Sequence, residues 1–414
     1  MIRGFIMRIL SMMVFFTLLL LSACGEPTAN KTDWTNKNWK EIESNAEDTT
    51  VRMFMWGGDE GINQYIDEWI VPRLKKSYDI TLERIPMDTP EILQKLQTEK
   101  QAGKQDGTID IIWINGENFK NAKENELLLG SFTGVLPNYN EYYQTEDPAF
   151  LTDFGTPVEG MEAPWGKVQF VFHCDTAKIE KPPRSFAELK SWIHENPGKF
   201  TYPRAKDFSG NAFLRHVLYA QAEQPSDIFN RPLQEEKISN TADRTWEYLN
   251  DIEPDLWRSG DHYPDNLTEL DRLYSQGEVW MTMGYNESRA EALIEEGVFP
   301  RTTRSFVMEP GSIGNTHFLS IPFNSSNQPG ALTAINFMLS PEAQLAKYKP
   351  DYWGENTPIS MDKIPEEIQK EFHAVERGES VLPTKKLEES FLPESEASYV
   401  EWMKEQWFNE VVQK

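Results

Sequence analysis

Residues 51–74 read VRMFMWGGDEGINQYIDEWIVPRL, and the order of strand and helix within them decides the fold class. The run Val51–Trp56 is mostly apolar and stops at two glycines, which is typical of a buried strand. Apolar residues then recur every three or four positions from Ile62 to Leu74, which predicts an amphipathic helix with a kink at Pro72. The segment therefore predicts a strand followed directly by a helix.

The same alternation continues along the chain. Strands alternating with amphipathic helices are the pattern of βαβ units, so we expect an α/β protein whose sheets are covered by helices. Between the second and third strands, Thr89 and Pro90 mark the start of a helix. The further strands are predicted at 80–85, 109–114, 169–172, 280–285 and 318–321, with another helix at 331–339.

The N-terminal residues carry the features of an export signal. Ile9 to Leu21 form an apolar core of about 13 residues, too short for the roughly 20 that a membrane-spanning helix needs. Leu21-Ser22-Ala23-Cys24 resembles a bacterial lipobox. The resemblance implies that residues 1–23 are a signal peptide, that Cys24 is acylated, and that the protein is anchored in the cell envelope outside the cytoplasmic membrane. The polar segment 24–48 is predicted to be a flexible tether.

Length and charge limit the remaining possibilities. Removal of 23 residues from 414 leaves 391, more than the roughly 250–300 that one core accommodates, so we expect two lobes. The net charge of −25 disfavours nucleic acid as a partner. The acidic side chains either keep the surface solvated or attract cations. Once Cys24 is acylated, Cys174 has no partner for an intramolecular disulfide.

Several segments in order resemble the type II extracytoplasmic solute-binding proteins of ABC importers, in the cluster that serves thiamine, polyamines and ferric iron. Within it, residues 196–203 and 311–318 are most similar to YnjB-type binding proteins, a branch that brings no settled ligand. The segments that carry the wider resemblance are Phe54–Gly58, Thr108–Trp113, Ala163–Val171, Pro183–Leu189, Gly314–Pro322 and Ala331–Gln344.

The resemblance implies a two-lobed periplasmic-binding-protein-like type II fold, with a mixed or parallel sheet in each lobe and a hinge between them. We expect lobe 1 to comprise 49–165 plus 312–358, and lobe 2 to comprise 166–311 plus 359–414. It further implies a lipid-anchored monomer without cofactor or metal, which binds a small solute and delivers it to an ABC permease and its ATPase.

In such a fold the ligand lies at the carboxyl ends of the strands. Two polar turns there supply candidate contacts from the first lobe, although a tight turn or an ordinary helix cap would have the same sequence. Glycines allow close approach of a ligand, an aromatic ring can stack, and a helix N-terminus favours a polar or anionic group. The candidates are Trp56, Gly57, Gly58, Asp59, Asn115, Gly116, Glu117 and Asn118.

The second lobe supplies candidates of the same kind. Tyr202, Ser209 and Asn211 lie in a predicted loop with hydroxyl and amide groups, and Tyr285 and Asn286 follow a predicted strand. Helix capping and core packing are the alternative roles for these residues.

His317 departs from the family pattern. Polyamine binders that resemble this chain have a carboxylate near this position, where it balances the amine. The imidazole removes that charge and disfavours a spermidine-like ligand, unless Asp59, Glu117 or Glu287 supplies it. A buried core histidine is the alternative.

Other chemistries have weaker support. Tyr142-Tyr143 precedes the predicted crossover, unlike the adjacent tyrosines of ferric binders, and His173-Cys174-Asp175 would point to alternate faces of a strand. A secreted carbohydrate-active enzyme with a carboxylate pair is the alternative class, but no ordered pair stands out. We therefore expect no catalytic residues, and a small organic cation, thiamine-like or polyamine-like, as ligand, while an anion or a neutral compound remains open.

Overall fold

The computed structural model describes residues 32–224 and 231–413. The predicted signal peptide and the lipidation residue Cys24 lie outside the described residues. The chain divides into two compact units, residues 1–36 and 37–414. The described part of the first unit contains a 3-10 turn, Trp34–Asn36, next to Asp33, whose carboxylate accepts a hydrogen bond from the Thr35 N–H at 3.0 Å.

The second unit contains all the strands of the described residues, and most are short. They are β1 (Thr50–Met55), β2 (Thr81–Pro86), β3 (Ile111–Ile114), β4 (Thr152–Asp153), β5 (Thr156–Pro157), β6 (Glu162–Gln169), β7 (Val171–Asp175), β8 (Met281–Gly284), β9 (Thr303–Phe306), β10 (Ser312–Ser320) and β11 (Phe391–Pro393).

Helices connect and cover these strands. A π-helical segment, Tyr65–Ile70, joins the second helix to the third, so the chain stays helical through Pro72. The helices are α1 (Trp39–Ala46), α2 (Glu60–Gln64), α3 (Val71–Tyr78), α4 (Thr89–Gln101), α5 (Gly116–Glu124), α6 (Pro137–Tyr142), α7 (Pro148–Leu151), α8 (Phe186–Glu195), α9 (Phe208–Gln221), α10 (Glu235–Ile252), α11 (Leu267–Ser275), α12 (Arg289–Glu295), α13 (Gln328–Met338), α14 (Pro341–Tyr348), α15 (Glu366–Ala374), α16 (Thr384–Ser390) and α17 (Ser398–Trp407).

The larger sheet is mixed, and its order is β11-β10-β3-β1-β2, with β6 also paired to β10. The parallel pairs β1–β2 and β1–β3 are those that the alternation of strands and helices predicts. β10 runs antiparallel to β3 and β6 and parallel to β11. Ile92 and Leu96 of α4 pack in one core cluster with Ile112 and Ile114 of β3.

The smaller sheet has the order β8-β7-β9 and is antiparallel. Its core is aromatic, because Phe172 of β7 stacks on Phe306 of β9 with ring centroids 5.6 Å apart. Trp402 and Met403 of α17 belong to the same cluster of buried residues. The C-terminal helix is therefore part of the smaller lobe's core.

The chain crosses between the sheets where three strands lie side by side. β6 ends at Gln169 and β7 begins at Val171, so the strand predicted at 169–172 is divided between the two sheets. At the start of β10, Gly314 pairs with Gln169 on one side and with Pro393 of β11 on the other. We call these three strands, 168–169, 312–314 and 391–393, the crossing ribbon.

The predicted tether 24–48 is wrong for its last part. Trp39–Ala46 form helix α1, whose N-cap Asn38 accepts a hydrogen bond from the Glu41 N–H at 3.0 Å. Ile42 and Ala46 are fully buried, and the helix contacts α13. Two apolar residues four positions apart anchor one short helix, but among polar neighbours they give too weak a pattern to predict it.

The predicted lobe boundaries stay a prediction, although two features bear on them. β6 continues in the larger sheet to Gln169. The segment 359–414, assigned to lobe 2, contacts elements of both lobes, since Phe372 of α15 packs on Tyr348 of α14 and β11 lies in the larger sheet.

Candidate functional site

The turn after β1 exposes an aromatic ring. Trp56 has 42% of its surface exposed, so it is not a core residue. A Cβ atom at Gly58 would lie 2.3 Å from the Trp56 ring, and one at Gly57 would lie 2.7 Å from the next strand. The glycines therefore let the ring fold over the turn. Asp59 caps α2 and accepts a hydrogen bond from its backbone at 3.1 Å.

The turn after β3 contacts the neighbouring hairpin. Gly116 has a φ of +61°, and its N–H donates to the Asp153 carboxylate at 2.5 Å. The Asn115 amide donates to the side-chain oxygen of Asn315 on β10 at 3.4 Å. Asn118 is half-buried. Asn115 and Gly116 thus connect α5 to residues that also border a cavity.

Glu117 contacts the C-terminal helix instead of an open cleft. Its carboxylate lies 2.6 Å from the Lys404 ammonium, which also pairs with Glu401 at 3.0 Å. Burial, and then the Glu401 carboxyl, raise the pKa of Glu117 to about 7, while Lys404 opposes that rise. The ion pair between Glu117 and Lys404 therefore holds the first turn of α5 against α17.

Two predicted contacts of the second lobe, Tyr202 and Ser209, are buried. Tyr202 is fully buried, stacks on Phe213 with ring centroids 4.6 Å apart, and accepts a hydrogen bond from Trp407 at 3.2 Å. Its prediction as a ligand contact is wrong, because the loop that contains it passes under α9 and α17. Ser209 is 5% exposed in the first turn of α9, next to the capping residue Asp207.

A buried polar network joins the lobes and includes two further predicted residues. The hydroxyl of Tyr285 donates to the Glu394 carboxylate, which also accepts from Arg215 at 2.9 Å and from Asn315 at 3.2 Å. Arg215 in turn donates to the Asn211 side chain. Asn315 belongs to the larger sheet and Arg215 to α9, so Glu394 bridges both lobes from the segment between β11 and α17.

The turn after β8 makes a second contact between the lobes. Asn286 has a φ of +69°, and its side-chain amide donates to the Trp353 carbonyl oxygen at 3.4 Å. The adjacent Glu287 pairs with Arg377 at 3.2 Å, and Arg377 also donates to the Gly354 carbonyl at 2.8 Å. Glu287 is thus neutralised within the protein and does not replace the acid missing at position 317.

His317 lies among aromatic residues, next to the buried ion pair between Glu355 and Lys347. Its Nε2 atom is 2.7 Å from the Glu355 carboxylate, and its ring lies edge-on to Trp113 at 5.0 Å. Glu355 also pairs at 2.8 Å with Lys347, whose ammonium lies 5.2 Å from the centre of the Trp353 ring. Lys347 is fully buried. Glu355 is therefore already paired with an ammonium of the protein itself.

A cavity of about 230 Å³ lies beside the network. It is large enough for a small organic solute and combines apolar with charged walls. Asn315 and Glu394 line it, so the network that joins the lobes also forms part of its wall. The other lining residues are Asp147, Pro148, Ala149, Thr152, Asp153, Phe154, Lys167, Gly314, Thr316, Phe318, Phe391 and Pro393.

The sequence interpretation missed the central residues of this site. Arg215 lies four positions after the predicted contact Asn211, Glu394 lies in the C-terminal segment, and only the fold brings the two together. The sequence around Asp153 and Phe154 contains a local turn signal, because a polar residue and Gly155 lie close together just before the crossover. That signal predicts a turn without indicating what the turn faces.

Within residues 32–224 and 231–413, no cluster of three or more His, Cys, Asp or Glu side chains has the geometry to hold a metal ion. His173 bonds to Ser305 at 2.9 Å, and burial lowers its pKa to about 3. Over the same ranges, every helix is too short or too polar to cross a bilayer.

Together, the fold and the site define a two-lobed binding protein of mixed α/β architecture. Residues 69–371 match the family of bacterial extracellular solute-binding proteins, and the chain belongs to that family. It is 33% identical to protein YnjB of Escherichia coli (strain K12) over 374 residues, which cover 90% of this chain and 93% of YnjB.

Solved structures of binding proteins share the fold. An ABC transporter substrate-binding protein from Bradyrhizobium japonicum USDA 110 superposes with a TM-score of 0.65 at 16% identity, covering 88% of this chain and 99% of that one. The spermidine/putrescine substrate-binding protein PotD from Streptococcus pneumoniae gives a TM-score of 0.63 at 16% identity, covering 88% and 98%. Membership in this family makes the protein a solute-binding protein and not an enzyme.

Proposed function

We propose that this protein is lipid-anchored through Cys24, captures a small organic cation between its lobes, and delivers it to a membrane permease driven by an ATPase. The lipobox-like Leu21–Cys24 supports the anchor. Membership in the extracellular solute-binding family supports delivery to a permease.

The observation that carries the proposal is the cavity beside Glu394. Glu394 lines this cavity and joins side chains from both lobes, with Asn315 on one side and Tyr285 and Arg215 on the other. A solute that touches this wall contacts groups whose positions depend on how the lobes are arranged. Its binding therefore stabilises the closed arrangement over an open one.

The charge of the cavity supports a cation. Asp147, Asp153 and Glu394 line it, against the single lining base Lys167. The net charge of −25 adds a field that attracts cations toward the surface. The similarity to a spermidine/putrescine binding protein agrees with this class, whereas the internal Lys347 beside Glu355 argues against an amine at the His317 position.

Compaction tests this function. Protein purified natively is stripped of bound solute by unfolding and refolding, and the released small molecules are added back while small-angle X-ray scattering is recorded. We expect the radius of gyration to fall on addition. An unchanged scattering profile in the presence of a solute shown by calorimetry to bind would contradict capture between moving lobes.

A further inference from the structure

The turn between β4 and β5 is inserted at the border of the lobes. Phe154 has a φ of +43°, a left-handed conformation that is strained for a bulky residue, and Gly155 follows with a φ of +75°. The Phe154 ring lies 6.4 Å from the Phe208 ring and 5.6 Å from the Arg215 guanidinium, both in the second lobe. This strained turn thus places Asp153 and Phe154 in the cavity wall.

Asp153 is a buried acid without a counter-ion. Only 2% of its surface is exposed, and it lines the cavity. One carboxylate oxygen accepts the Gly116 N–H, and across the described residues Asp153 has no Lys, Arg or His partner for an ion pair. Burial, and then Glu394, raise the pKa of Asp153 well above its usual range. The carboxylate is therefore costly to hold as an anion in an empty cavity.

The other acids that line the cavity are paired or have a structural role. Glu394 pairs with the fully buried Arg215, and Asp147 caps α7 by accepting a backbone hydrogen bond at 2.9 Å. Glu162, close to Asp153, has both oxygens buried without hydrogen-bond partners in the described part of the chain. Burial, and then Asp153, raise the pKa of Glu162, which as a second acid cannot balance the charge of Asp153. Asp153 remains the lining acid whose charge is not balanced.

We propose that Asp153 is the residue that determines specificity, by pairing with a positively charged nitrogen of the solute that carries at least one N–H. This inference rests on the proposed function and names the solute more narrowly. A buried carboxylate needs hydrogen-bond donors as well as positive charge, and a quaternary nitrogen has none. The site therefore rejects quaternary ammonium and N-alkylated ring cations, while Phe154 and Phe391 pack against the carbon skeleton of the solute.

The test compares Asp153→Asn with the exposed-site control Asp243→Asn in the full chain. Each protein is purified natively and unfolded, and the released small molecules are identified and quantified by mass spectrometry. We expect wild type and D243N to release a cation with an N–H on its charged nitrogen, and D153N to release at least about tenfold less. The thermal midpoint of D153N should not fall, because an amide of the same shape replaces a buried acid that has no counter-ion in the empty cavity.

A second measurement does not depend on folding of the variant. n-Butylammonium and n-butyltrimethylammonium, which have the same charge and differ by replacement of the three N–H hydrogens with methyl groups, compete with the released solute for wild-type protein. We expect only the first to compete. Equal competition, equal retention by D153N, or a released compound without a cationic N–H overturns the inference and leaves solute capture intact. Absence of any released solute from all three proteins contradicts the proposed function itself.

Discussion

At the scale of single residues, the position of Glu394 explains how the lobes are joined. Its carboxylate accepts hydrogen bonds from three side chains that come from both lobes, while only 6% of its surface is exposed. A buried pair such as Arg215–Glu394 gains little over an apolar pair, but removal of one partner leaves the other charge unbalanced. The pair is therefore sensitive to single substitutions.

We expect Glu394→Gln to lower the free energy of unfolding by ~3–5 kcal/mol, because Arg215 is left as an unpaired buried charge. The matched control is Glu379→Gln at the exposed pair Arg304–Glu379, where the loss should be below ~1 kcal/mol. Urea denaturation of both variants measures the difference. Similar small losses in the two variants would show that Glu394 is not held as the structure indicates.

The residue scale also shows how far the sequence locates the site. The strand-end rule placed Asn115 and Tyr285 at turns, because a strand's carboxyl end is predictable from local apolar runs, and their role as ligand contacts stays a prediction. Tyr202 was predicted from the polar character of its loop, and the fold buries it. Whether an aromatic residue in a loop faces a cleft or a core depends on packing partners elsewhere in the chain, here Phe213 and the distant Trp407.

At the scale of elements, α5 and α17 form a contact that depends on pH. Glu117, Glu401 and Lys404 meet there, and the pKa shifts of the two acids oppose each other. The pKa of Glu117 is raised to about 7 and that of Glu401 is lowered, as expected where two carboxyl groups share one proton. Glu117 therefore titrates near neutral pH.

Because folding raises the pKa of Glu117, its protonated form stabilises the folded protein at low pH. The usual value for Glu117 is 4.5, so its contribution to stability is present in full below that pH and is lost as the pH rises through about 7. The free energy of unfolding of the wild type should fall between about pH 5 and 8. In Glu117→Gln we expect this fall to be smaller by on the order of 1–2 kcal/mol. Chemical denaturation across this range measures the slope.

Glu83→Gln is the control for this pH effect, because Glu83 is exposed on β2. It should keep the wild-type slope. A Glu117→Gln slope equal to that of Glu83→Gln would contradict the shared proton between α5 and α17.

Most strands and the helices between them could be predicted from apolar periodicity, since their patterns are local. Helix α1 and strand β11 could not. α1 has only Ile42 and Ala46 fully buried, and β11 consists of Phe391, Leu392 and Pro393, whose pairing with β10 involves residues about 80 positions away. Short elements that are held by distant partners have too little local signal.

At the scale of the whole molecule, the proposed lipid anchor at Cys24 is tested by removal of its thiol. We expect Cys24→Ser to abolish labelling by radioactive palmitate and to move the protein from the membrane to the soluble fraction, because serine has no thiol to acylate. Cell fractionation and labelling measure both effects. Cys174→Ser, at a buried thiol in the smaller lobe's core, is the control and should remain labelled and membrane-bound. Continued labelling of the Cys24→Ser protein would contradict the lipobox.

The crossing ribbon restricts how the lobes can move. Its three strands are hydrogen-bonded to one another at Gln169, Gly314 and Pro393. To slide or twist one lobe against the other, neighbouring strands would have to shift register and lose those bonds, whereas bending across the ribbon keeps them. We therefore expect any relative motion of the lobes to be a bend across the ribbon, along nearly one path.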